Sequence, residues 1–163
     1  VLACAAFTSC TVVPELGQLT DRGGGKRKIV IRLKEQKAYL YRDGEVTAVT
    51  RISTGKKGHS TPTGSFRVTQ KNIDHRSSLY GHYVKNGRVV KANVDSRKDA
   101  RPSGSKYLGA PMPYFLRFNG AIGMHGGHVP KYPASHGCVR LPMRQAKRFY
   151  HAVSVGTPVT VKR

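Results

Sequence analysis

The chain has 163 residues, with 29 Lys and Arg against 8 Asp and Glu, a formal net charge of +21. That length suits one domain that buries a core without staples, and the charge attracts polyanions over long range. No apolar stretch is long enough to span a bilayer, and three cysteines with no CxxC exclude a fully paired disulfide framework.

Residues 1–13 are apolar and rich in small residues. They read as the tail of a secretion signal, with Cys4 and Cys10 as alternative sites for a lipid anchor. That anchor is the one membrane contact expected, and a signal implies an extracytoplasmic protein. Residues 14–27 read as a linker: Pro14, Gly17 and Gly23-Gly24-Gly25 break any period, and Lys26-Arg27-Lys28 closes it. The folded domain is expected over 28–163. Residues 29–33 and 38–41 predict strands, and Asp43-Gly44 predicts a hairpin turn into a third strand over 46–49. A glycine- and proline-punctuated loop follows over 55–64, then a strand over 66–69. The stretch 71–113 has little pattern and seven Gly and Pro, so it reads as a lid or insertion. Residues 114–118 predict a strand, and Asn119-Gly120 turns it into 121–124, placing His125 just past a strand end. Pro142 suits a first helical turn. Met143, Ala146, Phe149, Tyr150 and Val153 recur at helical spacing, and Gly156 is the expected stop. Residues 159–161 close the chain as a strand. The pattern is mainly β with one helix in the C-terminal half, a sandwich or barrel-like assembly.

Chemistry concentrates in Ser135-His136-Gly137-Cys138-Val139-Arg140, with His125-Gly126 upstream. Cys138 is the candidate nucleophile and His125 the candidate general base. A base needs an orienting group, and no Asp or Glu lies between Arg101 and Arg163. A backbone carbonyl such as that of Gly126 is therefore expected to orient His125. The many cations nearby are expected to lower the thiol pKa, giving partial thiolate with imidazolium. Backbone N–H groups of Gly137 and Cys138 form the natural oxyanion hole. His136 either adds a donor or fixes the loop. Ser135 braces the loop, and Arg140 either holds a substrate carboxylate or orders the loop. His125, His128, His136 and Cys138 fit no common zinc spacing, so neither metal nor cofactor is expected. His59, His75 and His82 read as solvated loop residues. Tyr80, Tyr83, Tyr107, Tyr114 and Tyr132 are cleft candidates, with core or rim packing the better reading for each.

The motif Ser135-His136-Gly137-Cys138-Val139-Arg140, preceded by His125-Gly126, resembles the signature of the L,D-transpeptidase catalytic domain, the YkuD family. Ser53-Thr54-Gly55-Lys56 and Thr61-Pro62-Thr63-Gly64-Ser65-Phe66 resemble the segment that family carries ahead of its active site. The resemblance covers about 28–163. It implies a β-sandwich-like catalytic domain and an enzyme of the bacterial envelope acting on peptidoglycan stem peptides, with the acceptor being a second stem, a protein amine or water. It also implies that carbapenem-type β-lactams acylate Cys138. Anionic cell-wall polymers then serve as partners for the positive charge, and no nucleic-acid-binding signature is present. The competing readings are an L,D-carboxypeptidase with the same Cys-His site and a basic, non-catalytic wall-binding module.

Overall fold

A computed structural model describes residues 25–163. The signal-like segment, Cys4, Cys10 and the linker up to residue 24 lie outside the described residues. Ten strands and one helix follow in chain order: β1 (Arg27–Arg32), β2 (Lys37–Arg42), β3 (Glu45–Arg51), β4 (Gly64–Arg67), β5 (Gln70–Lys85), β6 (Arg88–Asp95), β7 (Lys106–Asn119), β8 (Ile122–Gly126), β9 (Val139–Leu141), α1 (Met143–Ala152) and β10 (Pro158–Lys162). The first strand opens at Arg27, one residue before the expected domain start.

The strands form two five-stranded sheets, β3-β2-β1-β10-β4 and β6-β5-β7-β8-β9. In the first, β1 lies parallel to β10, Ile29 opposite Val159 and Ile31 opposite Val161. Alternation along these strands sends Ile29, Ile31, Leu40, Val159 and Val161 to one face. There they meet Leu116, Phe118, Met124, Val139 and Leu141 of the second sheet. Phe66 and Phe118 touch across the gap, ring centroids 5.6 Å apart. Ala146, Phe149 and Val153 bring the apolar side of α1 into the same core. Phe149 is fully buried. Its replacement by alanine is expected to cost about 3–5 kcal/mol, read as a lower midpoint in urea with the slope unchanged.

The helix is expected to run to Gly156, yet it ends at Ala152. Val153 is extended (φ −122°, ψ 160°) and its side chain enters the core. The Arg27 guanidinium donates to the Ala152 carbonyl and Lys71 Nζ to the Val153 carbonyl at 2.5 Å. These cations satisfy carbonyls left open at the helix end and suit its negative pole. Gly156, at φ +92°, serves the turn into β10 instead.

The largest difference from expectation is the stretch 71–113, which holds β5, β6 and half of β7 rather than irregular chain. Its glycines stand where strands press together: a Cβ on Gly81 would lie 2.2 Å from the Leu108 carbonyl oxygen, and one on Gly109 2.1 Å from that of Ser77. Pro111 and Pro113 pair with Arg76 and Asp74 of β5, whereas β8 pairs with β7 only at Leu116 and beyond. On its other side β7 is therefore an edge at the prolines, where a missing N–H breaks no ladder. His75 and His82 accordingly lie in β5, not in loops.

Candidate active site

The site grows from the short parallel pairing of β8 with β9, in which Met124 faces Val139 and His125 faces Arg140. Met124 and Val139 point into the core. Because side chains alternate, His125, Arg140 and Cys138 share the opposite face. That face forms one side of a cavity of about 680 Å³ lined by all three. His125 thus sits within β8, because the pairing with β9 extends the strand through Gly126. The three-residue β9 is not expected from the sequence.

Gly123 lies two residues before His125 on the same face, beside the sulfur. A Cβ there would come within 2.5 Å of the Phe115 ring, and the bare backbone presents its N–H to the Cys138 thiolate. The thiol also lies 3.9 Å from the Ala121 carbonyl. His125 is only 7% exposed, and its Nδ1 donates to the Gly126 carbonyl at 2.9 Å. A carbonyl can only accept, so the proton sits on Nδ1 and Nε2 keeps its lone pair.

Burial pushes the Cys138 thiol up, outweighing the Gly123 N–H and the charges of Arg117 and Arg140. Burial also pushes His125 down to about 4, helped by Arg140 and His75 and opposed by the Gly126 carbonyl. The expected thiolate–imidazolium pair is thus corrected to neutral thiol and neutral imidazole at pH 7. The cations are present, but desolvation of both groups outweighs them.

The loop carrying the thiol is fixed by its own hydroxyls. Ser135 Oγ accepts from the Gly137 N–H at 3.0 Å and donates to the Cys138 carbonyl at 2.5 Å. Gly137 adopts φ +118°, a conformation that a side chain would strain. Its N–H, one of the two expected oxyanion donors, is engaged by Ser135 Oγ. Thr61 Oγ1 donates to the Gly137 carbonyl at 2.7 Å and accepts from the Gly55 N–H at 3.0 Å. The segment 53–56 bonds backbone to backbone with the loop: Ser53 exchanges both bonds with Arg140, and Lys56 N–H donates to the Ser135 carbonyl. Ser135→Ala removes two hydrogen bonds and leaves a buried amide unsatisfied. We expect about 2–3 kcal/mol of lost stability by chemical denaturation, with slower turnover from a loosened thiol loop.

The stretch 71–113 covers this site from strands. Tyr80 stacks on His136 at 4.2 Å, while His59 meets His136 edge-on at 4.8 Å. Arg97 lies over Tyr80, donates to its hydroxyl at 3.2 Å and pairs with Asp95 at 2.7 Å. His75 stacks on Phe115 at 4.2 Å. Burial, then the charges of Lys56, His59 and Arg140, push His136 below its usual pKa. Of the five tyrosines considered, Tyr80 lines the cavity. Tyr83 packs against Tyr107, Tyr114 against Tyr150, and Tyr132 is exposed. Tyr80 is thus the one cleft candidate of the five that lines the cavity, whereas His75 and Arg97 also line it and are not expected, since they sit about 40 to 60 residues from the motif and nothing local marks them. His128 also lines the cavity, but among the described residues no three His, Cys, Asp or Glu side chains group to hold a metal ion.

A buried, carbonyl-pinned imidazole and a half-buried cysteine thus share one face of a sheet sandwich. The L,D-transpeptidase catalytic domain (YkuD) model matches residues 26–161, and the chain belongs to that family. The putative L,D-transpeptidase YqjB of Bacillus subtilis is 24% identical over 97% of this chain and 82% of its own. An L,D-transpeptidase from Mycobacterium smegmatis superposes with a TM-score of 0.65 at 23% identity, covering 86% of this chain and 60% of its own. The LD transpeptidase LdtMt1, in complex with imipenem, gives 0.64 at 23% identity, over 85% and 60%. The chain therefore spans about three-fifths of these two solved structures.

Proposed function

We propose that the protein is a cysteine L,D-transpeptidase of the bacterial cell envelope acting on peptidoglycan stem peptides. The observation that supports this reading is that Cys138 and His125 fall on one face of the β8–β9 pairing, with His125 Nδ1 pinned to the Gly126 carbonyl, which leaves the lone pair on Nε2. In the first step Nε2 takes the thiol proton as Sγ attacks the carbonyl of the third stem residue. In this reading the Cys138 backbone N–H is the oxyanion donor. The C–N bond to the terminal D-alanine then breaks, and His125 returns the proton to the departing amine, leaving a thioester on Cys138. In the second step an acceptor amine attacks that thioester, an amide bond forms, and the sulfur leaves and regains a proton through His125. Arg140, charged and on the same face, suits a substrate carboxylate. The same neutral thiol is the atom a carbapenem would acylate, as the imipenem complex of LdtMt1 suggests.

The test is product mass after incubation with purified disaccharide-tetrapeptide. A cross-linked dimer short of one D-alanine supports transpeptidation. Tripeptide alone shifts the enzyme to L,D-carboxypeptidase, and no turnover points to the binding module.

A further inference from the structure

A second concavity lies away from the catalytic cavity and shares no lining residue with it. It is a groove of about 480 Å³ between the C-terminal half of α1 and the β2–β3 hairpin. Arg27, Arg42, Lys147, Arg148 and His151 line it, together with Tyr41, and no acidic residue does. The nearest acids stand at the hairpin turn, where Asp43 pairs with Arg42 at 3.8 Å and Glu45 opens β3. The helix supplies a regular row. Arg144, Lys147, Arg148 and His151 recur at i, i+3, i+4 and i+7, all exposed, while Ala146 and Phe149 face the core. Neighbours in such a row stand about 5–6 Å apart. The three cations Arg144, Lys147 and Arg148 of this row, set beside a trough, match a linear polymer that repeats a negative charge every few bonds. Arg148 Nη2 donates to the Thr47 carbonyl at 2.6 Å, which ties the helix to the hairpin and holds the trough's width.

We propose that this groove binds a polyol-phosphate polymer, a flexible chain of phosphodiesters joined by sugar alcohols, while the cavity holds the stem peptide. Phosphate suits the lining because guanidinium groups grip its oxygens in pairs and ammonium groups meet it as point charges. Nucleic acid suits it less. Single strands gain affinity by stacking bases on aromatic rings, and the groove's one aromatic, Tyr41, has the Lys28 ammonium over its ring at 4.7 Å. Geometry also couples the two sites. Met143, at the start of α1, lines the catalytic cavity, and His151 lies about 12 Å further along the same helix. A polymer in the groove would hold the enzyme against the wall whose peptides it acts on. That orientation rests on the transpeptidase reading; the binding itself does not.

The experiment is fluorescence anisotropy of labelled poly(glycerol phosphate) of fixed length against the full chain with Cys138→Ala, so that no turnover enters. A triple variant, Arg144→Gln, Lys147→Gln and Arg148→Gln, is compared with a control triple, Lys85→Gln, Arg88→Gln and Lys106→Gln. The control removes the same charge from the far end of β5, β6 and β7, and thermal melting checks that both fold. We expect the groove triple to weaken binding at least about tenfold and to reduce the slope of log K against log salt by about two. The control should weaken it by no more than about threefold. Equal losses from the two triples would overturn the site in favour of diffuse charge. Single-stranded DNA of equal charge competing as well as the polymer would overturn the ligand class.

Discussion

A Cys138→Ala protein will melt within about a degree of the parent and will show neither acyl-enzyme mass nor D-alanine release. The fold should tolerate the change. Cys138 is half-buried at the cavity wall, its sulfur meets only the Gly123 N–H and, at a long 3.9 Å, the Ala121 carbonyl, and the loop is held by Ser135 and Thr61 rather than by the sulfur. Activity should fall at least about a thousandfold, since positioning and an oxyanion donor alone leave only residual rates. Cys138→Ser should fail almost as badly. An imidazole whose conjugate acid has a pKa of about 4 is a weak base. A thiol attacks with modest help, whereas a serine hydroxyl, far less acidic, does not. Intact-mass spectrometry after incubation with a carbapenem reads acylation directly. D-alanine release by Cys138→Ala at more than a few per cent of the parent rate would move the nucleophile elsewhere.

Legibility followed how locally each feature is encoded. The strands β1, β2 and β3 and the turn at Asp43-Gly44 were readable because alternation and a turn signal lie within a few residues. The helix was readable for the same reason, through Ala146, Phe149 and Val153, although its end was not. That end depends on Arg27 and Lys71, far away in sequence, reaching the last carbonyls. The second half of β7 is the expected strand over 114–118, but the long strand β5 and the first half of β7 are not legible, because Gly81, Gly109, Pro111 and Pro113 are loop signals in isolation. In the sheet they mark close approach and a free edge. The motif puts Cys138, Ser135 and Arg140 within six residues, so the candidate nucleophile and the loop that carries it are visible at once. His75 and Arg97 are not, because only the pairing of β5 with β6 and β7 brings their part of the chain over the site, and Tyr80 is legible only as one of five cleft candidates. The ionisation error has one physical source. Counting Arg and Lys captures Coulombic attraction to a thiolate, but burial of Cys138 and His125 is a property of the packed sheets and Phe115.

The buried imidazole also links stability to acid. In the unfolded chain His125 titrates near 6.5, whereas in the fold burial holds it down to about 4. Above pH 7 it is neutral in both states and costs nothing. As pH falls from about 6.5 towards 4 the unfolded chain takes up a proton that the folded one refuses, so stability drops. The slope approaches about 1.4 kcal/mol per pH unit and the total approaches about 3 kcal/mol. His75 and His136, also pushed down by burial, act in the same direction. His125→Gln should therefore lose less stability than the parent between pH 7 and 4, by about 3 kcal/mol in urea titrations, while His75 and His136 still contribute in both proteins. Catalysis gives the second reading. The variant should acylate about 100 to 10,000 times more slowly at pH 7. The parent's acid limb in single-turnover acylation should lie near pH 4, where the base itself becomes protonated. An acid limb near 6.5 would mean that His125 titrates as a solvated imidazole. The neutral thiol–imidazole pair, and the burial argument behind it, would then be wrong.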